Sequence, residues 1–257
     1  MLASWLEAAP FLNSCGRPPR RADACKGVPM YWIVVGDVHG STAMFGRIPG
    51  VAGAEALILS GDLTNRGGAL EGTPVLEAAL RANPRVLAQV GNMDEPSLGG
   101  HLCAAGMNIH RRALLLAPGL ALMGVGWSAP TPFGTPSEAS EDELAAWLIE
   151  THDAARALAG PAKPDGTGGR VLAVIHNAPH GTGLDALPDG QNVGSHAVRA
   201  FLDDAQPDIC VCGHIHEGRG EAFLGRCHTL NPGLLSEGGF VRVSLDNGKL
   251  SATLGQA

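Results

Sequence analysis

The stretch Tyr31-Trp32-Ile33-Val34-Val35-Gly36-Asp37-Val38-His39-Gly40 decides the fold of this chain. Its first five residues are apolar and rich in β-branched side chains, which predicts a buried strand that ends at Gly36. Asp37 and His39 follow that strand directly. An apolar strand that leads into an acid and a histidine predicts a sheet with a polar site at its carboxyl edge.

The same alternation continues along the chain and predicts an α/β fold. Further strands are expected at 56–60, 85–90, 114–116, 120–125, 171–175 and 208–212, and helices at 41–47, 73–82, 140–159 and 195–205. Pro74 is expected in the first turn of the second helix, and Ser140 with Glu143 forms a capping box for the third. Strands that alternate with helices predict a mainly parallel sheet, with short strands added between about 220 and 254.

The composition describes an acidic protein with enough apolar residues for a large core. The 257 residues include 18 Lys and Arg against 25 Asp and Glu, a formal net charge of −7, and 45% are hydrophobic. This balance argues against a nucleic-acid partner, because nucleic-acid binding needs a basic surface. It does not exclude a small phosphate-ester substrate, because bound metal ions can supply the positive charge.

The first 29 residues differ from the rest, and we interpret them as a flexible N-terminal extension ahead of one domain at 30–257. A docking segment is the alternative. Glu7 and Pro10 break the apolar stretch that a secretory signal needs, and no run of about 18 apolar residues exists to cross a membrane. The expected location is therefore the cytoplasm, with no membrane partner and most of the six cysteines as free thiols.

Five short motifs, each placed after an expected strand, carry side chains that bind metals. They are Asp37-Val38-His39-Gly40, Gly61-Asp62-Leu63-Thr64-Asn65, Gly91-Asn92-Met93-Asp94, His176 and Gly213-His214-Ile215-His216. Any one of them alone fits a polar turn or a structural histidine. The carboxyl ends of parallel strands form one crevice, so we expect the five motifs to meet at one edge of the sheet.

Together the motifs offer a donor set for two divalent ions. The set comprises Asp37, His39, Asp62, Asn92, His176, His214 and His216. Seven donors exceed what one four-coordinate ion can use, whereas two ions that share a carboxylate can use them all. Mixed oxygen and nitrogen donors favour manganese first, with iron, zinc, nickel or cobalt as alternatives.

Taken in order, the motifs resemble those of the calcineurin-like metallophosphoesterase superfamily over about residues 31–245. Gly61 to Asn65, Thr131-Pro132-Phe133-Gly134-Thr135-Pro136, His176-Asn177-Ala178-Pro179-His180-Gly181-Thr182 and Asn231-Pro232-Gly233 are similar to a small prokaryotic branch related to cyclic-nucleotide phosphodiesterases. The resemblance implies a four-layer α/β/β/α sandwich with two mixed sheets. It also implies that Asp37, His39 and His216 hold one ion, that Asn92, His176 and His214 hold the other, and that Asp62 bridges both.

The implied activity is hydrolysis of a small phosphomonoester or phosphodiester by attack of a metal-bridging hydroxide. Two cations about 3.5–4 Å apart lower the pKa of the bridging water and offset charge on the phosphoryl oxygens. The alternative function is that of a catalytically weak or inactive, metal-stabilised binding or scaffold protein.

One position departs from the family pattern. Many members follow the Gly-Asn pair with a histidine that helps to protonate the leaving group, whereas this chain has Met93. We therefore name His180, together with Asn92, as a catalytic candidate, with an exposed loop histidine as the alternative for His180. Asp94 could also replace the missing acid, although we expect it to cap the following helix.

Three further segments allow more than one interpretation. Cys210, Cys212 and His214 alternate along one strand, which fits either core cysteines, the interpretation we favour, or a zinc or redox site. Asn65 and Arg66 fit either a solvated loop or a phosphate contact. The segment from Trp127 to Pro136 is expected to be a rigid loop that walls the metal cleft.

Overall fold

The computed structural model describes residues 29–162 and 168–257, so Pro29 alone of the expected extension at 1–29 is described. Within these ranges the strands are β1 (Met30–Val35), β2 (Leu57–Leu59), β3 (Val86–Ala88), β4 (Arg112–Ala117), β5 (Leu120–Val125), β6 (Arg170–Ile175), β7 (Ile209–Val211), β8 (Gly220–Leu224), β9 (Cys227–Asn231), β10 (Gly239–Asp246) and β11 (Lys249–Gln256). The α-helices are α1 (Ala69–Ala82), α2 (Pro96–Ala104), α3 (Glu141–Ala159) and α4 (His196–Ala205). None of the helices in the described part of the chain is long and apolar enough to span a bilayer.

The strands form two mixed sheets, so the expectation of one mainly parallel sheet is wrong. The first sheet has the order β11-β10-β1-β2-β3, and the second has the order β4-β5-β6-β7-β9-β8. In the first sheet β10 pairs antiparallel with β1, while β1, β2 and β3 are parallel to one another. The strand–helix order does not reveal this division, because it records neighbours in sequence and not in space.

The two sheets stack face to face, and helices cover their outer faces. Trp32 and Val34 of β1 lie in the cluster between the sheets, with residues of both sheets around them. Ile33 and Val35 of the same strand point the other way and pack with residues of α1 and α2. Helices α3 and α4 cover the second sheet in the same manner. The resulting α/β/β/α sandwich with two mixed sheets confirms the fold class that the resemblance implied.

The site is positioned by strands whose carboxyl ends lie side by side. Val35 pairs with Leu59, and Leu59 pairs with Ala88, so β1, β2 and β3 end at one edge of the first sheet. In the second sheet Val125 pairs with Ile175, and β7 runs parallel to β6. A parallel bridge between Gly36 and Leu234 lies at the same end of the molecule. The loops after these strands are therefore brought together across both sheets.

Two helix predictions need correction. Helix α1 begins at Ala69, not Thr73, because the Glu71 carboxylate accepts a hydrogen bond from the N–H of Gly68 at 3.0 Å and starts the helix earlier. Pro74 consequently lies inside the helix. The helix expected at 41–47 is a single 3₁₀ turn, Phe45–Arg47, which ends at the extended Ile48 because Pro49 follows. The capping box of Ser140 is confirmed, with Ser140 Oγ accepting from the N–H of Glu143.

Candidate metal centre

All seven predicted ligands follow strands on the same edge of the sandwich, six of them in loops and His216 at the start of a 3₁₀ turn. Asp37 and His39 follow β1, Asp62 follows β2, and Asn92 follows β3. In the second sheet His176 follows β6 directly, and His214 and His216 follow β7. The five motifs that the sequence singled out therefore do converge, although they do so across two sheets.

Four of these residues have backbone conformations that L-residues rarely adopt. The φ angles of Asp37, His39, Asp62 and His214 are 49°, 47°, 49° and 71°. Such left-handed residues each cost of order 1 kcal/mol or more and persist only where the surroundings hold them. The carbonyl of Asp62 supplies part of that support, because it accepts hydrogen bonds from the N–H groups of Val38 and His39, both at 2.9 Å. The backbone at these four residues is therefore strained, and this conformation directs their side chains toward the site.

The first cluster of donor atoms comes from Asp37, His39, Asp62 and His216, and its atoms lie within 4.8 Å of one another. The Nε2 atoms of His39 and His216 are 3.1 Å apart. His39 Nε2 lies 3.7 Å from Asp62 Oδ2, and His216 Nε2 lies 3.5 Å from Asp37 Oδ1. Donor atoms about 2.0–2.2 Å from a common ion would show separations of this order, so the residues fit a divalent cation.

The second cluster shares Asp62 with the first. The donor atoms of Asp62, His176 and His214 also lie within 4.8 Å of one another. His176 Nε2 is 3.4 Å from Asp62 Oδ1 and 3.1 Å from the amide oxygen Oδ1 of Asn92. One carboxylate oxygen of Asp62 therefore faces each cluster, which is the arrangement that a carboxylate bridging two ions requires.

The charges of the two clusters are strongly coupled. Burial by itself raises the pKa of Asp62, but His176, His39 and the N–H of Met93 lower that pKa below its usual value. Burial lowers the pKa of His176, but the facing Asp62 carboxylate outweighs it and raises this pKa above its usual value. Burial, with His176 nearby, lowers the pKa of His214 to about 4. Without metal, therefore, the Asp62 carboxylate favours the protonated form of His176, whereas burial favours the neutral form of His214.

Position 91, beside Asp62 and His176, requires glycine. A Cβ at Gly91 would collide with the backbone and carboxylate of Asp62 and lie 2.7 Å from Cε1 of His176. The close approach of the Asn92 loop to Asp62 is possible only because this residue has no side chain.

Asn65 has a role that the sequence left undecided. Its side-chain oxygen Oδ1 lies 2.8 Å from His39 Nδ1, and its Nδ2 donates to the carbonyl of His39 at 3.2 Å. An acceptor at Nδ1 keeps the proton on that nitrogen and leaves Nε2 free as a donor to a metal. Asn65 thus orients the ligand His39. Its position in the sequence, three residues after Asp62, does not indicate this role.

The expectation that Asp94 caps the next helix is wrong. Helix α2 has Glu95 at its N-cap, and Asp94 is fully buried. Its two carboxylate oxygens accept hydrogen bonds from the N–H groups of Leu63, Thr64 and Gly91 at 2.8–3.0 Å. Asp94 therefore ties the Asp62 loop to the Asn92 loop, and its oxygens are not available to act as an acid on a substrate.

His180 lies in neither cluster of donor atoms. Its Nδ1 is 3.6 Å from Oδ2 of the buried Asp185, and its ring lies against that of His196, with a centroid distance of 4.0 Å and a tilt of 35°. The loop that carries His180 also contains Leu184, which lies in one apolar cluster with Ile215. In the sequence Ile215 stands between the two ligands His214 and His216. The catalytic role of His180 stays a prediction.

The other ambiguous segments can be placed directly. Cys210 and Cys212 are fully buried among apolar residues, and burial raises the pKa of both thiols, which supports core cysteines. The loop at 127–136 contacts the centre, because Thr135 Oγ1 accepts a hydrogen bond from Asn92 Nδ2 at 3.1 Å. Arg66 Nη2 donates to the carbonyl of Gly134 in this loop at 2.6 Å.

Comparison with known families identifies the fold and the general chemistry. Residues 30–244 match the model of the calcineurin-like phosphoesterase superfamily domain. The chain belongs to that superfamily. As a calcineurin-like phosphoesterase it is a member of a metal-dependent family, and its Asp and His clusters are residues that could hold the metal.

Three individual proteins show what this chain is similar to. A Methanocaldococcus jannaschii protein described only as uncharacterized is 29% identical over 206 residues, which covers 76% of this chain and 87% of that protein. The crystal structure of a Thermus thermophilus protein matches with a TM-score of 0.58 at 19% identity, over 88% of this chain and 99% of that one. GAP50, the anchor in the inner membrane complex of Plasmodium, matches with a TM-score of 0.56 at 11% identity, over 89% and 84% of the two chains. At such identities the two structures show a shared fold and not a shared activity.

Proposed function

We propose that this phosphoesterase holds two divalent ions, with manganese as the first choice, and hydrolyses a small phosphomonoester or phosphodiester. The proposal is carried by one observation: the two oxygens of Asp62, which is 2% exposed, face two separate groups of donor atoms. A buried carboxylate needs paired charge and hydrogen bonds, and an ion on each side of Asp62 would supply that charge.

The chain's own residues divide between the two ions. Asp37, His39 and His216 would hold one, Asn92, His176 and His214 would hold the other, and Asp62 would touch both. When bound, such a pair of ions activates water as a nucleophile and offsets the charge on the phosphoryl oxygens. Asn65 and Asp94 keep the ligands aimed inward. Asn92 is also our catalytic candidate for a contact to the phosphate.

His180 is our candidate for protonating the leaving group, because Met93 has no proton to donate. The Nδ1 atom of His180 is buried without a hydrogen-bond partner among the described residues, and the carboxylate of Asp185 lies 3.6 Å from it. Substrates whose leaving groups are already acidic need this step least. We therefore expect aryl esters to be hydrolysed faster than alkyl esters.

The loop that contacts the centre suggests what the rest of the substrate looks like. Phe133 is 78% exposed and lies two residues before Thr135, which bonds Asn92. An exposed aromatic ring on this loop favours an ester with an apolar or planar organic group. The acidic net charge of −7 opposes a nucleic-acid substrate, and we propose the cytoplasm as the location.

The test is hydrolysis of an aryl phosphodiester and an aryl phosphomonoester with added Mn²⁺. We expect Asp62→Asn and His176→Ala to reduce turnover about 100-fold or more, because several kcal/mol of transition-state stabilisation are lost with an ion. The exposed Asp204→Asn and His101→Ala serve as matched controls and should match the wild type. Tight Mn²⁺ binding without turnover of any ester would instead support the scaffold alternative, which Met93 favours.

A further inference from the structure

We propose that Glu138, acting through the hydroxyl of Thr135, positions the side-chain amide of Asn92 so that its oxygen faces the second ion. The inference rests on the proposed two-ion function. It makes Glu138 and Thr135 positioning residues, because neither belongs to the two clusters of donor atoms.

The carboxylate of Glu138 accepts hydrogen bonds from two hydroxyl groups and one N–H of its own loop. Its Oε1 accepts hydrogen bonds from Thr131 Oγ1 at 2.7 Å, from the N–H of Thr135 at 2.8 Å and from Thr135 Oγ1 at 2.5 Å. Burial by itself raises the pKa of Glu138, but these hydrogen bonds outweigh it and lower the pKa to about 2. The side chain therefore remains an ionised acceptor over the whole physiological range of pH.

The direction of the Thr135 hydroxyl follows from this. A hydroxyl has one proton, and an ionised carboxylate can only accept, so the proton of Thr135 Oγ1 points at Glu138. The lone pairs of Oγ1 then remain for Asn92, whose Nδ2 donates to Oγ1 at 3.1 Å. With its nitrogen so engaged, Asn92 must turn its oxygen the other way.

The second cluster lies in the direction to which the oxygen of Asn92 then points. Asn92 Oδ1 lies 3.1 Å from His176 Nε2, among the donor atoms that include Asp62 and His214. A rotated amide would place its oxygen against the lone pairs of Thr135 and its NH₂ group toward the cation. Both contacts are repulsive, so the relay selects the amide orientation that can bind metal.

The loop itself is fixed by bonds that do not involve the Thr135 hydroxyl. The N–H of Ser137 donates to the carbonyl of Asn92 at 3.1 Å, and Ser137 Oγ donates to the carbonyl of Asp94 at 2.6 Å. Arg66 also donates a hydrogen bond to the carbonyl of Gly134 in this loop. Removal of the hydroxyl alone should therefore change the amide of Asn92 and leave the loop in place.

The experiment titrates Mn²⁺ into the metal-free full chain by calorimetry and compares Thr135→Val, Thr135→Ser and Glu138→Gln with the wild type. Removing a group that orients a ligand typically reduces metal affinity 10- to 100-fold, and we expect about this loss in Thr135→Val for one ion only. His176→Ala marks which binding step belongs to that ion. Thr135→Ser should recover near wild-type affinity because it retains the hydroxyl, and Glu138→Gln should weaken the same step.

Thr131→Val is the matched control, since Thr131 also donates to Glu138 but does not touch Asn92. It should bind both ions as the wild type does. The inference is overturned if Thr135→Val titrates like the wild type, if Thr135→Ser fails to recover, or if Thr131→Val loses as much affinity as Thr135→Val. A wild-type protein that binds fewer than two ions refutes the proposed function instead, so the two failures can be told apart.

Discussion

Replacement of Asp94 by alanine should destabilise the protein strongly, although Asp94 is not a ligand. The residue is fully buried and its carboxylate accepts from the N–H groups of Leu63, Thr64 and Gly91. Thr64 Oγ1 also donates to it at 2.8 Å but has Gly67 as a second partner. The variant therefore leaves three backbone N–H groups without an acceptor.

The size of the effect follows from these three groups. A buried donor left unpaired costs about 1–3 kcal/mol, so three of them set a range of roughly 3–9 kcal/mol. Water that enters the vacated space restores part of the loss, and we expect the free energy of unfolding to fall by about 3–5 kcal/mol. That is a large share of the roughly 5–15 kcal/mol that stabilises a typical domain. Asp94→Asn retains one acceptor oxygen and should lose about 1–3 kcal/mol.

Urea unfolding of the metal-free protein, followed by circular dichroism, measures this directly. The exposed Asp204→Ala is the control and should remain within about 0.5 kcal/mol of the wild type. If Asp94→Ala loses less than about 1 kcal/mol, then Asp94 does not join the two ligand loops as described and the reasoning fails.

Three further outcomes are expected. The Asp62 carboxylate raises the pKa of His176, so His176 must release a proton before the second ion binds. The affinity for Mn²⁺ should therefore fall about tenfold for each unit of pH below that pKa. Calorimetry in buffers of different protonation enthalpy should detect the released proton, and an affinity that is constant between about pH 6 and 9 would contradict this. A Cβ at Gly213 would lie 2.6 Å from Asp37 Oδ2, so Gly213→Ala should lose an ion by metal analysis, whereas Gly100→Ala, which has open space around it, should not. Phe133→Ala should raise KM for aryl esters by about 3- to 10-fold with kcat unchanged, as burial of an apolar group predicts, and an unaltered KM would remove Phe133 from the substrate contact.

Local pattern was enough to predict much of the fold. The apolar runs of β1 and β6 predict buried strands because both faces of those strands are covered, and the Ser140 capping box marks the start of α3 to the residue. Pattern failed for α1, where the Glu71 carboxylate starts the helix a turn early, and for 41–47, where Pro49 limits the helix to one turn. In both cases one specific side chain outweighed the general propensity.

The predicted ligands converge because each follows a strand, and parallel strands bring their carboxyl ends to one edge. What the spacing could not indicate is the support around them. Asp94 bonds residues 30 and 31 positions away, and Thr135 meets Asn92 across 43 positions. Such contacts depend on how loops pack, and loop packing leaves no periodic signal in the chain.

The sequence by itself determined which residues could hold the ions and that they stand at strand ends, because strand patterning and donor chemistry are local properties. Residue pattern alone did not reveal that the strands divide between two sheets, which only the family resemblance implied. The tertiary structure alone decided which oxygen of Asp62 faces which cluster, and that Glu138, Thr135 and Asn92 form a chain of hydrogen bonds. These features depend on distances between residues far apart in sequence. Such distances are fixed only when the apolar faces of both sheets are buried against each other.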